Sequence, residues 1–175
     1  MVELDPPAQT PVSEPIVPVK MPLGSRADLD SAVLMLLGAA RRTLRCASAD
    51  LSIFGLESPA AVDLMRALLL ADRASTVRLL VDDPAWIEAH AARVKLLQRD
   101  FAHALQIRVA DRDDPVGADR VLLGDDCHAL RLHDAPIVHG ELWLNHVAYA
   151  QPLLAAFDRR WDRAAHNLAV APLGL

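Results

Sequence analysis

The sequence of 175 residues has few aromatic residues, few cysteines and no excess of positive charge. Phe, Trp and Tyr make up 4% of the chain, whereas 53% is hydrophobic, so the core must be built from aliphatic side chains. The formal net charge of −5 argues against general nucleic-acid binding, which needs a basic surface to neutralise phosphates. The longest strongly apolar run, Ala32 to Ala40, is far shorter than the ~20 residues that span a bilayer, so we expect no membrane insertion.

Signals for export, metal binding and cofactor binding are also missing from the sequence. The N-terminus, MVELDPPAQT, has neither the basic start nor the apolar segment of a secretory signal. Cys46 and Cys127 lie in apolar, strand-like segments, where buried reduced thiols are favoured over a disulfide. The histidines are scattered, and no Gly-x-Ser-x-Gly, Walker or dinucleotide motif is present. We therefore predict a cytoplasmic protein with no cofactor and no bound metal.

The first 24 residues differ in composition from the rest of the chain. They hold six of the twelve prolines and no aromatic residue, so they can form little regular structure and bury little surface. We predict that residues 1–24 are a disordered or loosely docked lead-in. Residues 25–175 are then a single domain.

From Ser25 onward, helical and strand patterns alternate. Ser25 with Asp28 forms a capping box, and Ser58 followed by Pro59 marks a second helix start. A long helix is expected after Asp83-Pro84, and a last helix near Pro152. The alternation favours a mixed, mostly parallel sheet with helices on both faces. After Asp111 the pattern changes to a hairpin, DRVLLGDDCHALRLH, which precedes the closing helix. The predicted class is α/β.

Two short patterns carry a resemblance to a known family. The hairpin contains the spacing Arg120-x4-Asp125, and the last helix contains LLAAFDRRWDRA, with aromatic residues in a Phe-x3-Trp pattern. Together with the order of the elements, these patterns resemble the phospholipase D-like superfamily over roughly residues 25 to 166. In that family the signature is His-x-Lys-x4-Asp, and two such motifs converge on one phosphate, within one chain or across a homodimer.

The resemblance implies a role for each position of the motif. One histidine attacks phosphorus, the other protonates the leaving group, and the lysines neutralise phosphate oxygens. Here Arg120 occupies the lysine position and Asp125 the aspartate position, but Ala118 occupies the histidine position. No histidine of this chain is followed two residues later by Lys or Arg. The motif is therefore single and degenerate, without its nucleophile.

An anion site can survive this loss, because an arginine still grips phosphate oxygens with its planar fork. The anion-binding candidates are Arg120, Asp125, Ser48 and Asp50, the last two because they follow the first predicted strand. A phosphate-bearing small molecule is the expected ligand. The competing interpretation makes Arg120 and Asp125 ordinary hairpin residues, and makes Ser48 and Asp50 loop and helix caps. Asp82-Asp83 could line a magnesium crevice, but Pro84 makes a helix cap the better explanation for Asp83.

Three functions stay open at this point. The first is a non-catalytic binding or interaction module on a phospholipase D-like fold. The second is a homodimeric phosphodiesterase or nuclease that uses a non-standard histidine, for which His128 is the candidate. The third is a partner domain for an adjacent or fused acetyltransferase-like protein. A homodimer is conceivable around residues 136–150, PIVHGELWLNHVAYA, although these could equally be core strands covered by the last helix.

Overall fold

The computed structural model describes residues 17–133 and 138–164. Seven strands and five helices occur in these ranges. The strands are β1 (Val19–Leu23), β2 (Thr43–Ser48), β3 (Thr76–Val81), β4 (Leu105–Val109), β5 (Arg120–Gly124), β6 (His128–Leu132) and β7 (Gly140–Leu144). The helices are α1 (Arg26–Ala39), α2 (Pro59–Ala71), α3 (Ala85–His90), α4 (Ala92–Asp100) and α5 (Val147–Arg163).

All seven strands join one mixed sheet in the order β1-β7-β6-β5-β2-β3-β4. The strands β2, β3 and β4 are parallel, as the helices between them require, whereas the other four neighbouring pairs are antiparallel. The predicted mixed α/β fold with a hairpin and a closing helix is confirmed. The sheet is not mostly parallel, however. Four strands, β1 and the meander β5-β6-β7, pair in the antiparallel sense, and only β2, β3 and β4 are parallel to one another.

The sheet separates two apolar clusters. The larger one lies under α1, α2 and α4 and contains Leu36, Met65, Leu79 and Leu122, all buried. The smaller one lies under α5 and contains Leu80, Leu123, Phe157 and Trp161. Side chains that follow one another along a central strand therefore point into opposite clusters, because successive side chains of a strand lie on opposite faces of the sheet.

The two helix starts that the sequence predicted are confirmed. The Ser25 hydroxyl accepts a hydrogen bond from the Asp28 N–H at 3.1 Å, and the Asp28 carboxylate accepts one from the Gly24 N–H at 3.2 Å. The Ser58 hydroxyl accepts from the Ala61 N–H at 3.3 Å, with Pro59 as the first helical residue. Such caps satisfy N–H groups that have no partner within the helix.

Two other helix predictions need correction. The expected long helix after Pro84 is interrupted at Ala91, whose backbone leaves the helical region, and α3 and α4 result. The last helix begins at Val147, five residues before Pro152, with the His146 side chain as its cap. Its inner stripe, Leu154, Phe157 and Trp161, is buried as predicted.

The lead-in ends in a strand rather than in a loose segment. Val19–Leu23 pairs along its whole length with β7, from Val19 opposite Leu144 to Leu23 opposite Gly140. Leu23 is buried in the larger cluster. Strand β1 therefore lies within the predicted lead-in of residues 1–24, while residues 1–16 lie outside the described part of the chain.

Candidate functional site

Three of the predicted site residues lie at the carboxyl end of β2. The ladder between β2 and β5 ends with Ala47 opposite Val121, and one residue further along are Ser48 and Arg120. Ser48 is buried, and its hydroxyl donates a hydrogen bond to the backbone oxygen of Asp50. The Asp50 carboxylate accepts from the Ser52 N–H at 2.8 Å. Ser48 and Asp50 thus shape the loop after β2, and Arg120 starts the neighbouring strand.

Arg120 is the part of this group that is available for a ligand. Its side chain is half-buried, and no hydrogen bond or ion pair occupies its guanidinium within residues 17–133 and 138–164. A guanidinium carries five N–H donors in a planar fork and stays charged at any accessible pH. Arg120 can therefore hold a phosphate or carboxylate without first breaking a contact within the described chain.

The turn before β5 holds the residue at the histidine position of the motif. Ala118 is exposed in this turn, next to Gly117, whose φ of 58° lies in the left-handed region that favours glycine. The Asp82 carboxylate accepts from the Val116 N–H at 2.7 Å and the Gly117 N–H at 2.9 Å. Asp82 therefore fixes the turn in front of Arg120, a role that the sequence did not reveal.

Asp83 has a local role as well. Its carboxylate accepts from the Ala85 N–H at 2.9 Å at the start of α3. This contact agrees with the capping interpretation, although the backbone cap itself is Pro84. Across the described ranges, no group of three or more His, Cys, Asp or Glu side chains is arranged to hold a metal ion.

Asp125 lies at the opposite end of β5 from Arg120. The intervening strand residues separate the two by roughly 15 Å, given the rise of a strand. The Asp125 carboxylate accepts three backbone N–H groups, from Arg41 at 2.8 Å, Arg42 at 2.9 Å and Thr43 at 2.9 Å. Its backbone φ of 49° places it in the left-handed region, which aspartate tolerates in turns. Asp125 therefore ties the hairpin turn to the start of β2 and does not meet Arg120.

His128 also lies at the end of the hairpin that is remote from Arg120. It pairs with Gly124, whereas Arg120 pairs with Leu132. The buried ring accepts a hydrogen bond at Nδ1 from the Asn145 N–H at 3.1 Å, and its Nε2 is 3.6 Å from the Cys127 Sγ. Burial lowers the pKa of His128, because it disfavours the charged imidazolium. The ring is therefore neutral at pH 7.

One group of charged residues was missed by sequence reasoning. Asp119, Arg131 and Arg160 come from three separate elements and meet at the mouth of a cavity under α5. The local signal for them is weak, because Arg131 interrupts the apolar residues of β6 whereas Arg160 lies among other charged residues of α5. Their proximity depends on how α5 crosses the sheet.

None of the described helices is long and apolar enough to cross a membrane. The two cysteines are free, and Cys127 lies in the hairpin turn rather than in a strand.

Comparison with solved structures supports the fold and nothing finer. The phospholipase D family member Nuc from Salmonella typhimurium shares 13% identity at a TM-score of 0.63, with 87% of this chain and 100% of that chain covered. NucT from Helicobacter pylori shares 10% identity at a TM-score of 0.56, covering 86% and 98%. At these identities the likeness establishes a phospholipase D-like fold.

A third similar structure is larger. TrmBL2, an archaeal chromatin protein whose structure shows a novel mode of DNA binding, shares 12% identity at a TM-score of 0.61. The match covers 83% of this chain but only 53% of TrmBL2, so the chain spans about half the length of that protein. No match to a curated protein sequence was found. A family model described as Domain of unknown function (DUF7931) matches residues 25–171, and the chain therefore belongs to that family.

Proposed function

We propose that this protein is a non-catalytic phospholipase D-like domain that binds an anionic group, such as the phosphate of a small molecule, at Arg120. The proposal rests on two observations together: the Arg120 guanidinium has no hydrogen bond or ion pair among the residues that the structure describes, and an alanine, Ala118, stands at the histidine position. A methyl group has no lone pair to attack phosphorus, whereas the arginine still supplies charge and donors. Binding is retained and bond cleavage is lost.

The environment of His128 supports a non-catalytic domain over the phosphodiesterase alternative. A nucleophilic imidazole needs a free lone pair on one ring nitrogen. In neutral His128 the Nδ1 lone pair accepts the Asn145 N–H, so the proton resides on Nε2. No lone pair of the ring is then available for attack, and Arg120 lies at the other end of the hairpin.

A composite active site would also require a homodimer. The position of β1 argues against a dimer formed through the edge of β7. The outer edge of β7, in the middle of the candidate segment 136–150, is hydrogen-bonded to β1. Trp143 contacts its own chain, with its ring 4.6 Å from the His146 ring and 5.0 Å from the Lys20 Nζ. Residues 136 and 137 lie outside the described ranges. These contacts favour a monomer of about 19 kDa, the mass of the chain, and light scattering at micromolar concentration tests it.

General nucleic-acid binding is not part of the proposal. The chain carries a formal charge of −5, and affinity for nucleic acids rests largely on cations that replace condensed counterions. The DNA binding named for TrmBL2 therefore stays with that protein.

Titration calorimetry with phenyl phosphate tests the anion site. We expect millimolar affinity for the intact protein and at least a fivefold loss for Arg120→Gln. The matched control is Arg112→Gln, which removes the same charge from an exposed residue of the loop before β5. If both variants lost the same affinity, phenyl phosphate binding would depend only on the overall charge of the protein. The proposal of a site at Arg120 would then be wrong.

A further inference from the structure

A cavity of about 110 Å³ lies between α5 and the sheet. The sheet and the helix form its apolar walls, to which Ala47, Val121 and Phe157 contribute. These residues belong to the smaller apolar cluster. An apolar hollow of this kind favours an aliphatic occupant over water.

Charged side chains line the mouth of the cavity. The Asp119 carboxylate lies 3.0 Å from Nη2 of Arg160 and 3.8 Å from Nη2 of Arg131. Arg160 is further engaged by Asp114, at 3.3 Å from its Nε. Asp114 also pairs with Arg163, at 2.8 Å. The connected group therefore holds three arginines and two aspartates, which leaves one positive charge in a chain whose net charge is −5.

Of the two arginines that line the cavity, Arg131 is the one whose N–H groups can still donate hydrogen bonds to a ligand. Its contact to Asp119, at 3.8 Å, is too long for a hydrogen bond. Its side chain donates no hydrogen bond to any residue of the described ranges, and it is 41% exposed. An anion at the mouth could therefore accept charge-assisted hydrogen bonds from the Arg131 guanidinium, which makes none to Asp119.

We propose that this cavity binds a small carboxylate that carries a branched aliphatic group of about isobutyl size. The carboxylate would pair with the Arg131 fork in two bonds, and the aliphatic group would fill the apolar hollow. For scale, an apolar cavity of about 150 Å³ accommodates benzene, so 110 Å³ suits a somewhat smaller group. A monoanion matches the single surplus charge, whereas a doubly charged phosphate would repel Asp119.

This site is separate from the one at Arg120. Val121 lines the cavity, and its neighbour Arg120 points to the opposite face of the sheet because side chains alternate along a strand. Loss of phosphate binding at Arg120 would therefore leave the carboxylate site intact, and the converse also holds.

An NMR titration of the full chain with 4-methylpentanoate tests the proposal. We expect saturable shifts of backbone resonances in β6 and α5 with a dissociation constant of roughly 1 mM, the range of a good ligand with few atoms. Arg131→Gln should weaken binding at least tenfold. Ala156→Leu, which fills the cavity from α5 and keeps both arginines, should abolish it.

Two comparison ligands and one control variant test whether binding needs both the carboxylate and the aliphatic group. 4-Methylpentan-1-ol lacks the charge and inorganic phosphate lacks the aliphatic group, so each should bind this cavity at least tenfold more weakly than the carboxylate. The comparison is made in the Arg120→Gln variant, so that phosphate binding at Arg120 does not contribute. Arg159→Gln removes a charge from the exposed side of the same helix and should leave binding unchanged. Absence of saturable shifts, equal binding of phosphate by the Arg120→Gln variant, or equal effects of Arg131→Gln and Arg159→Gln would each overturn the proposal.

Discussion

Removal of the Asp125 carboxylate should destabilise the fold without touching the anion site. Two of its three hydrogen bonds, to the N–H groups of Arg41 and Arg42, are exposed, so water can replace them and each contributes about 0.5–1 kcal/mol. The third, to the Thr43 N–H, is partly buried and contributes about 1.5–2 kcal/mol. Asp125→Ala should therefore cost about 3 kcal/mol, or roughly 6–12 °C in Tm for a chain of this size.

Urea unfolding at pH 7, followed by tryptophan fluorescence, measures this cost. Asp125→Asn keeps one acceptor oxygen and tolerates the left-handed backbone, so it should lie between the wild type and Asp125→Ala. Asp126→Ala is the matched control, because the Asp126 side chain is 79% exposed and, within the described residues, forms one ion pair, at 4.0 Å from Arg45. That variant should stay within about 0.5 kcal/mol of the wild type.

The reasoning would be refuted by one combination of results. If Asp125→Ala and Asp126→Ala unfolded at the same urea concentration, the three hydrogen bonds would contribute nothing. If Asp125→Ala also weakened phenyl phosphate binding as much as Arg120→Gln, Asp125 would be a site residue, as the motif suggested.

Other predictions concern packing, pH and thiol reactivity. Trp161 is buried, with its ring 5.7 Å from Phe157, so Trp161→Ala should lower unfolding free energy by about 3–5 kcal/mol, and an unchanged urea midpoint would contradict this. Because burial holds the pKa of His128 below its ordinary value of 6.5, the unfolded chain binds the extra proton first, and stability should fall as the pH drops below about 6.5. His128→Gln should flatten that slope, whereas replacement of the exposed His103 by Gln should not. Burial raises the pKa of Cys46 to about 12, and partial burial with nearby Asp125 raises that of Cys127. Neither thiol should therefore react quickly with a thiol-specific disulfide reagent at pH 8, unless the protein is unfolded.

The elements that the sequence predicted correctly are those with local signals. Ser25 and Ser58 cap their helices through contacts three residues away, and the stripe ending at Trp161 follows helical spacing. Strand β1 has no such signal, since Pro22 and its proline-rich surroundings argue against a strand. It forms because proline is tolerated on an edge strand and β7 offers a free edge.

The site was harder to predict because its residues are joined by long-range contacts. The motif spacing suggested that Arg120 and Asp125 act together, yet a strand between them holds them at opposite ends. Asp125 reaches Thr43, 82 residues away, and Asp82 reaches Val116, 34 residues away. Neither contact leaves a pattern in the sequence.

Hydrolysis of a generic phosphodiester reporter, bis(p-nitrophenyl) phosphate, tests the central claim most directly. The assay is run with the full chain, alone and with assorted divalent metals, beside Arg120→Gln and His128→Gln. Since Ala118 cannot attack phosphorus and the His128 lone pair is engaged, the rate should equal that without protein in every case. Turnover that persists through purification and is lost in either variant would contradict a non-catalytic domain.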